Sequence, residues 1–414
     1  MQKEVVQRQE RECAGDEAEF GGRFSRAHRL RNGTEMAREI RVALIGGGGF
    51  MGKAHSMAYA LAPSVVDLDV TIVKHTLVDA NADIAAAAAE RLGWQNSSSD
   101  WRAVIASDDI DVVDIVTPPQ FHQEIAMAAL AAGKPVFCEK PITNDAAEAT
   151  RMAEAAAESG LANQVGFNYR HTPAISLFKK LVDDGDLGTP LNFRATYMQD
   201  GAYFIDDFGW RATKRTGGSG AVGDIGSHII DLAEYLNGPI VRVAAVMNTN
   251  GGAAGSTWLP EDERVSQDLT DDAGAWVAQF ANGSTGTFSA SFQAYGRKNQ
   301  IRLELDGTKG AVEFDWNRRE ELKIARADDR PDDSGFKTVL VSDAHRDVWY
   351  PVAGIGIGYV EGSAIQLARF VEAAANGGTS RPDFADAAHV QSVVTAIQES
   401  ARTGAWVKVA VPAR

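Results

Sequence analysis

Ile40-Arg41-Val42-Ala43-Leu44-Ile45-Gly46-Gly47-Gly48-Gly49-Phe50-Met51-Gly52 decides the fold of this chain. The first half is an apolar run with no polar alternation after Arg41, the pattern of a strand buried on both faces. The second half is a glycine-rich turn with Gly47, Gly49 and Gly52 at GxGxxG spacing, and a helical pattern runs from Gly52 to Leu61. A strand feeding such a turn and helix can cradle a dinucleotide pyrophosphate. Gly47 would allow the tight turn, Gly49 the close approach of backbone to phosphate, and Gly52 the packing of helix on strand. Phe50 and Met51 complete the turn and count with it as cofactor contacts.

Strand and helix patterns then alternate. Thr76–Asp79 ends a second strand, and Ala82–Leu92 is an alanine-rich helix with Gly93 as its C-cap. Trp101–Ser107 reads as a short helix, and Val112–Thr117 as a strand stopped by Pro118-Pro119. A helix over Phe121–Ala132, a strand over Pro135–Cys138, a helix over Asn144–Ser159 and a last apolar run over Ala162–Phe167 follow. Repeated β-α units with short turns imply a parallel, doubly wound sheet. Asp79, at the end of the second strand, can accept hydrogen bonds from the adenosine ribose and would repel a 2′-phosphate. NAD is therefore expected over NADP, although Lys74 and His75 lie close by. Thr117 and Pro118 should line the nicotinamide side, with His122 on the following helix as a further cofactor contact.

After Pro173 the texture changes. A helix over Ala174–Val182 precedes strand-like runs at Leu191–Tyr197, Val241–Met247, Ala275–Phe280, Thr285–Phe292, Ile301–Leu305 and Ala311–Phe314. Asn282-Gly283 is a hairpin turn signal between two of them. Helices over Tyr359–Ala375 and Ala385–Ala401 end the pattern. The fold class is α/β plus α+β: a Rossmann parallel sheet followed by an open-faced antiparallel sheet. The expected organisation is a disordered polar extension over 1–39, a dinucleotide-binding domain over 40–167, and a substrate-binding and oligomerisation domain over 168–414. The C-terminal helices are free to pack back on the dinucleotide domain. Met36 is a candidate initiator, with a genuine flexible tail as the alternative.

The formal net charge of −15 argues against a nucleic-acid partner and against a polybasic membrane contact. No apolar run approaches the roughly 18 residues of a membrane helix, and no apolar signal core precedes Met36. The two cysteines, Cys13 and Cys138, give no disulfide framework, so a reducing, cytoplasmic setting is expected. No cysteine or histidine cluster has metal-ligand spacing, and no metal is expected.

Glu139-Lys140-Pro141 places a lysine at the carboxyl edge of the first sheet, with Glu139 beside it as a cofactor contact. Pro141 biases Lys140 toward extended backbone, so the side chain should project into the ligand crevice. Alone, Lys140 would read as a surface residue. A second element, Gly217-Gly218-Ser219-Gly220-Ala221-Val222-Gly223-Asp224-Ile225-Gly226-Ser227-His228, leads glycines into a helix. Asp224 and His228, four apart, share one helical face. The ordinary pKa of histidine, near neutrality, suits a general base and predicts oxidation that speeds up as the ring deprotonates.

Together these motifs resemble the Gfo/Idh/MocA family of oxidoreductases from Arg41 to the C-terminus. Ala54-His55, Gly166-Phe167-Asn168-Tyr169-Arg170 and Gly223–His228 add to the resemblance. It implies a Rossmann domain, an open-faced sheet packed against its copy in a homodimer or homotetramer, and Lys140, Asp224 and His228 as the catalytic set. Tyr169, Arg170, Gln199, Asp200 and Trp210 are candidate hydroxyl-binding or ring-stacking groups. Trp210-Arg211 and the Phe50–Ser56 stretch look most like inositol dehydrogenases and the levoglucosan or glucoside 3-dehydrogenase group. The expected function is NAD-dependent oxidation of a ring secondary alcohol of a cyclitol or pyranose sugar. Two alternatives are an NAD-dependent glycoside hydrolase that oxidises its substrate transiently and a non-catalytic cofactor-binding regulator.

Overall fold

The computed structural model describes residues 37–203, 209–249, 269–342, 354 and 356–410. The reading of Met36 as initiator and residues 1–36 of the extension expected over 1–39 fall outside the described residues; Arg38 and Glu39 already belong to the first strand. Strand β1, Arg38–Ile45, begins two residues earlier than expected. It leads into helix α1, Phe50–Val65, and then β2, Val70–Val78, helix α2, Ala82–Leu92, and β3, Asn96–Ser98. The next elements are α3, Trp101–Ala106, β4, Val112–Ile115, α4, His122–Ala131, and β5, Val136–Cys138. Helix α5, Ala146–Ser159, and strand β6, Asn163–Val165, complete this half. Asn81 caps α2 by accepting from the Asp83 and Ile84 N–H groups, and Gly93 ends it in the left-handed conformation, φ +73°.

The first sheet has six strands in the order β3-β2-β1-β4-β5-β6. Its β1–β4, β2–β3, β4–β5 and β5–β6 pairs are parallel. Chain order reverses between β1 and β4, and the crevice beyond the strand ends at such a reversal is where these sheets take ligands.

Helix α6, Pro173–Asp183, leads to β7, Pro190–Met198. Helix α7, Ser227–Asn237, is followed by β8, Ile240–Asn248, β9, Ala273–Phe280, and β10, Thr285–Ser291. Then come β11, Gln300–Gly307, β12, Gly310–Asp315, β13, Glu321–Arg326, and β14, Lys337–Leu340. Helices α8, Tyr359–Asn376, and α9, Phe384–Thr403, and a short β15, Val407–Lys408, follow. The second sheet has nine strands, ordered β14-β13-β12-β11-β7-β10-β9-β8-β15. It is not purely antiparallel as expected: β7 and β10 pair in parallel, with Ala195 opposite Phe288. The β8–β9–β10 meander brings β10 back in the direction of β7, a relation that hairpin signals cannot reveal. Strands β13, β14 and β15 went unread because they are short and rich in charge.

Strand β9 alternates buried and exposed residues, as a half-covered sheet requires. Phe193, Trp276, Phe280 and Phe288 fill the inner face. Val246 and Val277 lie exposed on the other side. From Glu39 onward the described residues form one compact unit. Helix α8 belongs physically with the first sheet. Its Ala364, Leu367, Ala368, Phe370 and Val371 share an apolar cluster with Ile40, Leu44, Ala58 and Tyr59. Phe370 meets Phe137 edge to face at 5.6 Å. Each such fully buried side chain is worth about 1.5–3 kcal/mol. Among the described residues, no helix is long and apolar enough to cross a membrane.

Candidate active site

The carboxyl ends of β1, β2, β4 and β5 open into a cavity of about 1290 Å³, whose far wall comes from the second sheet. The glycine turn forms its rim. The Gly46 and Gly47 N–H groups both donate to the Val78 carbonyl, at 2.8 and 2.9 Å. The left-handed residue is Gly46, φ +90°, rather than Gly47. A Cβ on Gly46 would lie 2.8 Å from the Thr117 backbone nitrogen, so the close packing of β1's end against β4's end requires glycine there. Gly47 is constrained differently, by Leu77, which a Cβ would meet at 2.5 Å. A Cβ on Gly52 would meet the Gly47 carbonyl at 2.1 Å, which agrees with a helix packed hard on its strand.

Gly49 faces open space and starts α1 without a side-chain cap, and no acidic residue occupies the first helical turn. The first N–H groups of α1 are thus left for an anion, and the rim fits a dinucleotide pyrophosphate. The Asp79 Oδ2 accepts from the Gly48 N–H at 3.1 Å, and its Oδ1 from the Asn81 N–H at 3.1 Å. Asp79 therefore both braces the turn and presents its carboxylate to the cavity. Phe50, Met51, Thr117, Pro118 and Glu139 line the same cavity. His122 does not. Its Nε2 faces the Thr117 carbonyl at 2.7 Å and its Nδ1 the Pro141 and Ile142 carbonyls at 3.0 and 3.2 Å. Its place under the floor corrects the expectation of a cofactor contact: it fastens the end of β4 to the loop after β5.

Lys140 follows β5 and reaches across to Asp224. Its Nζ lies 2.7 Å from the Asp224 Oδ1 and 2.9 Å from the Asp224 carbonyl. Asp224 sits in a widened π turn, Val222–Gly226, immediately before α7. Such turns displace one residue from regular helical register and recur at functional sites. The Asp224 Oδ2 accepts from the Arg211 Nε at 3.1 Å. Burial raises the Asp224 carboxyl, but the Lys140 and Arg211 cations outweigh it and hold the group well below the usual carboxylate range. Both Asp224 carboxylate oxygens are thus engaged by cations rather than by His228.

His228 lies in the first turn of α7 and lines the cavity. Its ring meets Tyr169 at 4.9 Å, Phe167 at 5.7 Å and Tyr197 at 5.9 Å. Burial first, and the Lys140 cation second, push its pKa well below 6.5. Both causes favour the neutral ring. It can accept a proton without first losing one, and the expected rise of activity as it deprotonates near neutrality is withdrawn.

A polar wall faces this set. The Tyr169 and Tyr197 hydroxyls lie 2.9 Å apart, Tyr197 donates to the Asn299 Oδ1 at 2.6 Å, and the Asn299 Nδ2 donates to Tyr169 at 3.1 Å. The Gln199 Nε2 joins through Asn299 at 2.9 Å. Trp210 lines the cavity with the Arg211 guanidinium 4.1 Å over its ring. Asn299, Trp316, Arg319 and Tyr359 also line it and were missed. They lie in turns and a helix start far along the chain, with no spacing signal. Asp200 does not reach the cavity. It holds Lys298 at 2.8 Å and the Gly296 N–H at 3.0 Å, and so fixes the turn that carries Asn299. Arg170 is likewise corrected. Its Nη2 and Nε engage Asp231 at 2.6 and 2.9 Å, and its Nη1 reaches Asp386 at 3.5 Å. The tight turn over Asn168–His171 sends Tyr169 to the cleft and Arg170 to the opposite side.

Residues 40–167 match the family profile described as "Oxidoreductase family, NAD-binding Rossmann fold", and residues 175–313 match the GFO/IDH/MocA C-terminal domain. The chain is 42% identical over 387 residues to levoglucosan dehydrogenase of Pseudarthrobacter phenanthrenivorans, covering 90% of this chain and 98% of that protein. It is 29% identical to scyllo-inositol 2-dehydrogenase (NAD(+)) of Bacillus subtilis, covering 70% of this chain and 78% of that one. The solved structure of levoglucosan dehydrogenase in complex with NADH and levoglucosan superimposes with a TM-score of 0.84 at 41% identity, over 91% of this chain and all, 100%, of that one.

Proposed function

The chain belongs to the GFO/IDH/MocA family of NAD-binding oxidoreductases, and we propose that it oxidises a ring hydroxyl of levoglucosan or a closely related pyranose. The reaction class is NAD-dependent oxidation of a CH–OH group on a sugar or cyclitol. The narrower substrate reading is carried by one observation: the likeness to levoglucosan dehydrogenase extends over nearly the whole of both chains.

When bound, NAD supplies the hydride acceptor. The rest falls to the chain's own residues. His228, kept neutral by burial and by Lys140, takes the hydroxyl proton. Lys140 polarises the same oxygen and stabilises negative charge developing on it. Asp224, itself braced by Arg211, holds the ammonium group in place. The wall of Tyr169, Tyr197, Asn299 and Gln199 offers donors and acceptors to neighbouring hydroxyls, and Trp210 an apolar face to the ring. The setting proposed is the cytoplasm, as a homodimer or homotetramer joined through the open face that carries Val246 and Val277.

A substrate panel tests this reading. Levoglucosan, inositols and common monosaccharides are offered with NAD and with NADP, and reduced cofactor is followed by absorbance. Levoglucosan with NAD should give the highest kcat/KM, with net accumulation of NADH. A clear preference for an inositol, with levoglucosan inert, would overturn it.

A further inference from the structure

Beneath the Lys140 end of the cleft lies a buried charge array that the proposed chemistry does not use. His55, on α1, places its Nδ1 2.8 Å from the Asp114 Oδ2 and its Nε2 3.2 Å from the Glu139 Oε1. Asp114 lies within β4 and Glu139 directly follows β5, so one ring bridges neighbouring strands. All three side chains are buried. A neutral imidazole has a single N–H and would turn a lone pair toward one of the two carboxylates. Two acceptors need two donors, and the imidazolium supplies them. Burial pushes the ring down, but Asp114 and Glu139 outweigh it, and His55 is pushed up to about 10. The ring also packs edge-on against Phe137 at 5.4 Å, which leaves it little freedom to turn away.

Glu139 is the one member of the array that lines the cleft. Its Oε2 accepts from the Lys140 backbone N–H at 3.0 Å. Room for the carboxylate depends on a neighbour's missing side chain, because a Cβ on Gly166 would stand 2.3 Å from the Glu139 Oε1. Two carboxylates and one imidazolium leave the array with one net negative charge. The neighbouring Lys140 and Arg211 cations share the single Asp224 carboxylate, so it is the place of Glu139, not the net charge of the cleft, that matters to a ligand there.

The strand order assigns the ends of the cleft. Asp79, after β2, marks the adenosine side, and the glycine turn holds the pyrophosphate. A bound nicotinamide would then lie beyond the reversal point, on the side of β4 and β5, where Thr117 and Glu139 line the cavity. We infer that His55 and Asp114 are positioning residues that fix the Glu139 carboxylate at the nicotinamide end of the cleft, where its charge favours the oxidised cofactor over the reduced one. The inference rests on the NAD assignment and deepens it. The oxidised ring is cationic and the reduced ring neutral, so a fixed carboxylate separates them by charge alone.

Dissociation constants test it without recourse to activity. NAD binding is read by calorimetry and NADH binding by fluorescence, in the unaltered protein and in three variants. Glu139→Gln keeps the shape and should weaken NAD about tenfold relative to NADH. His55→Gln leaves the Glu139 carboxylate without the cation that fixes its place and should move the ratio in the same direction. Should His55→Gln not fold, Asp114→Asn decides the point: it removes one charge from the array and should shift the ratio the same way by a smaller factor. Equal weakening of both forms, or an unchanged ratio in Glu139→Gln or Asp114→Asn, overturns the inference. An unaltered protein that bound neither form would overturn the cofactor assignment instead, and the inference with it.

Discussion

His55 and His228 are almost equally buried, at 2% and 6% exposure. Their environments act in opposite directions. His55 lies between two carboxylates and is driven toward the cation, whereas His228 lies among aromatic rings beside Lys140 and is driven toward the neutral form. Equal burial thus yields opposite charge, because the nearest ion outweighs or reinforces desolvation. On the reading proposed above, one histidine is a fixed charge and the other the base.

The largest effect expected from breaking this contrast is catalytic. His228→Phe and Lys140→Met should each lower kcat by about 10²–10⁴-fold, the usual loss on removing a placed acid–base group. NADH affinity, read by fluorescence titration, should barely move. A His228→Phe protein with near-normal turnover on its best substrate would end the assignment of His228 as base.

Stability should separate the two histidines next. His55→Leu strands two buried carboxylates without their cation and should lose about 3–5 kcal/mol in urea unfolding. His228→Phe exchanges one neutral ring for another and should lose less than about 1.5 kcal/mol. The pH dependence sharpens the contrast. With its native pKa raised, His55 contributes fully below the unfolded value of about 6.5, and the contribution is lost as pH rises through about 10. With its native pKa lowered, His228 contributes above about 6.5, and that contribution is lost as pH falls below it. His171, held down to about 3 chiefly by burial, adds to the same acid loss. His55→Gln should therefore flatten the alkaline limb of stability and His228→Phe the acid limb; unfolding midpoints from pH 5 to 10 check both.

The smallest effect concerns the far end of the cleft, where charge selects the cofactor rather than its oxidation state. Asp79→Ser removes the repulsion of a 2′-phosphate and should improve NADP relative to NAD by about tenfold in kcat/KM. Some NAD affinity should be lost as well, since Asp79 also braces the Gly48 N–H. A protein that already favours NADP would show that Asp79 does not set the choice.

Much of this molecule is local in origin and therefore legible along the chain. An unbroken apolar run from Val42 to Ile45, glycines after it and a helical pattern beyond determine the strand–turn–helix unit, because each depends on the residue's own side chain or its absence. The strand ends place Asp79 and Lys140, and the glycine run before Ser227 leads to Asp224 and His228. Other features depend on which surfaces meet. Gly46 must be glycine because β4 packs against it, and Arg170 turns from the cleft because Asp231 and Asp386 wait on the other side. The parallel pairing of β7 with β10 depends on how a long connection returns. Asn299 and Tyr359 reach the cavity from distant turns and helices, and the charges of His55 and His228 depend on neighbours far away in sequence. The chain alone determined its periodic elements and the residues at their ends. Only the tertiary structure decided which of those residues face one another, since charge, burial and hydrogen bonding are properties of pairs brought together by the fold.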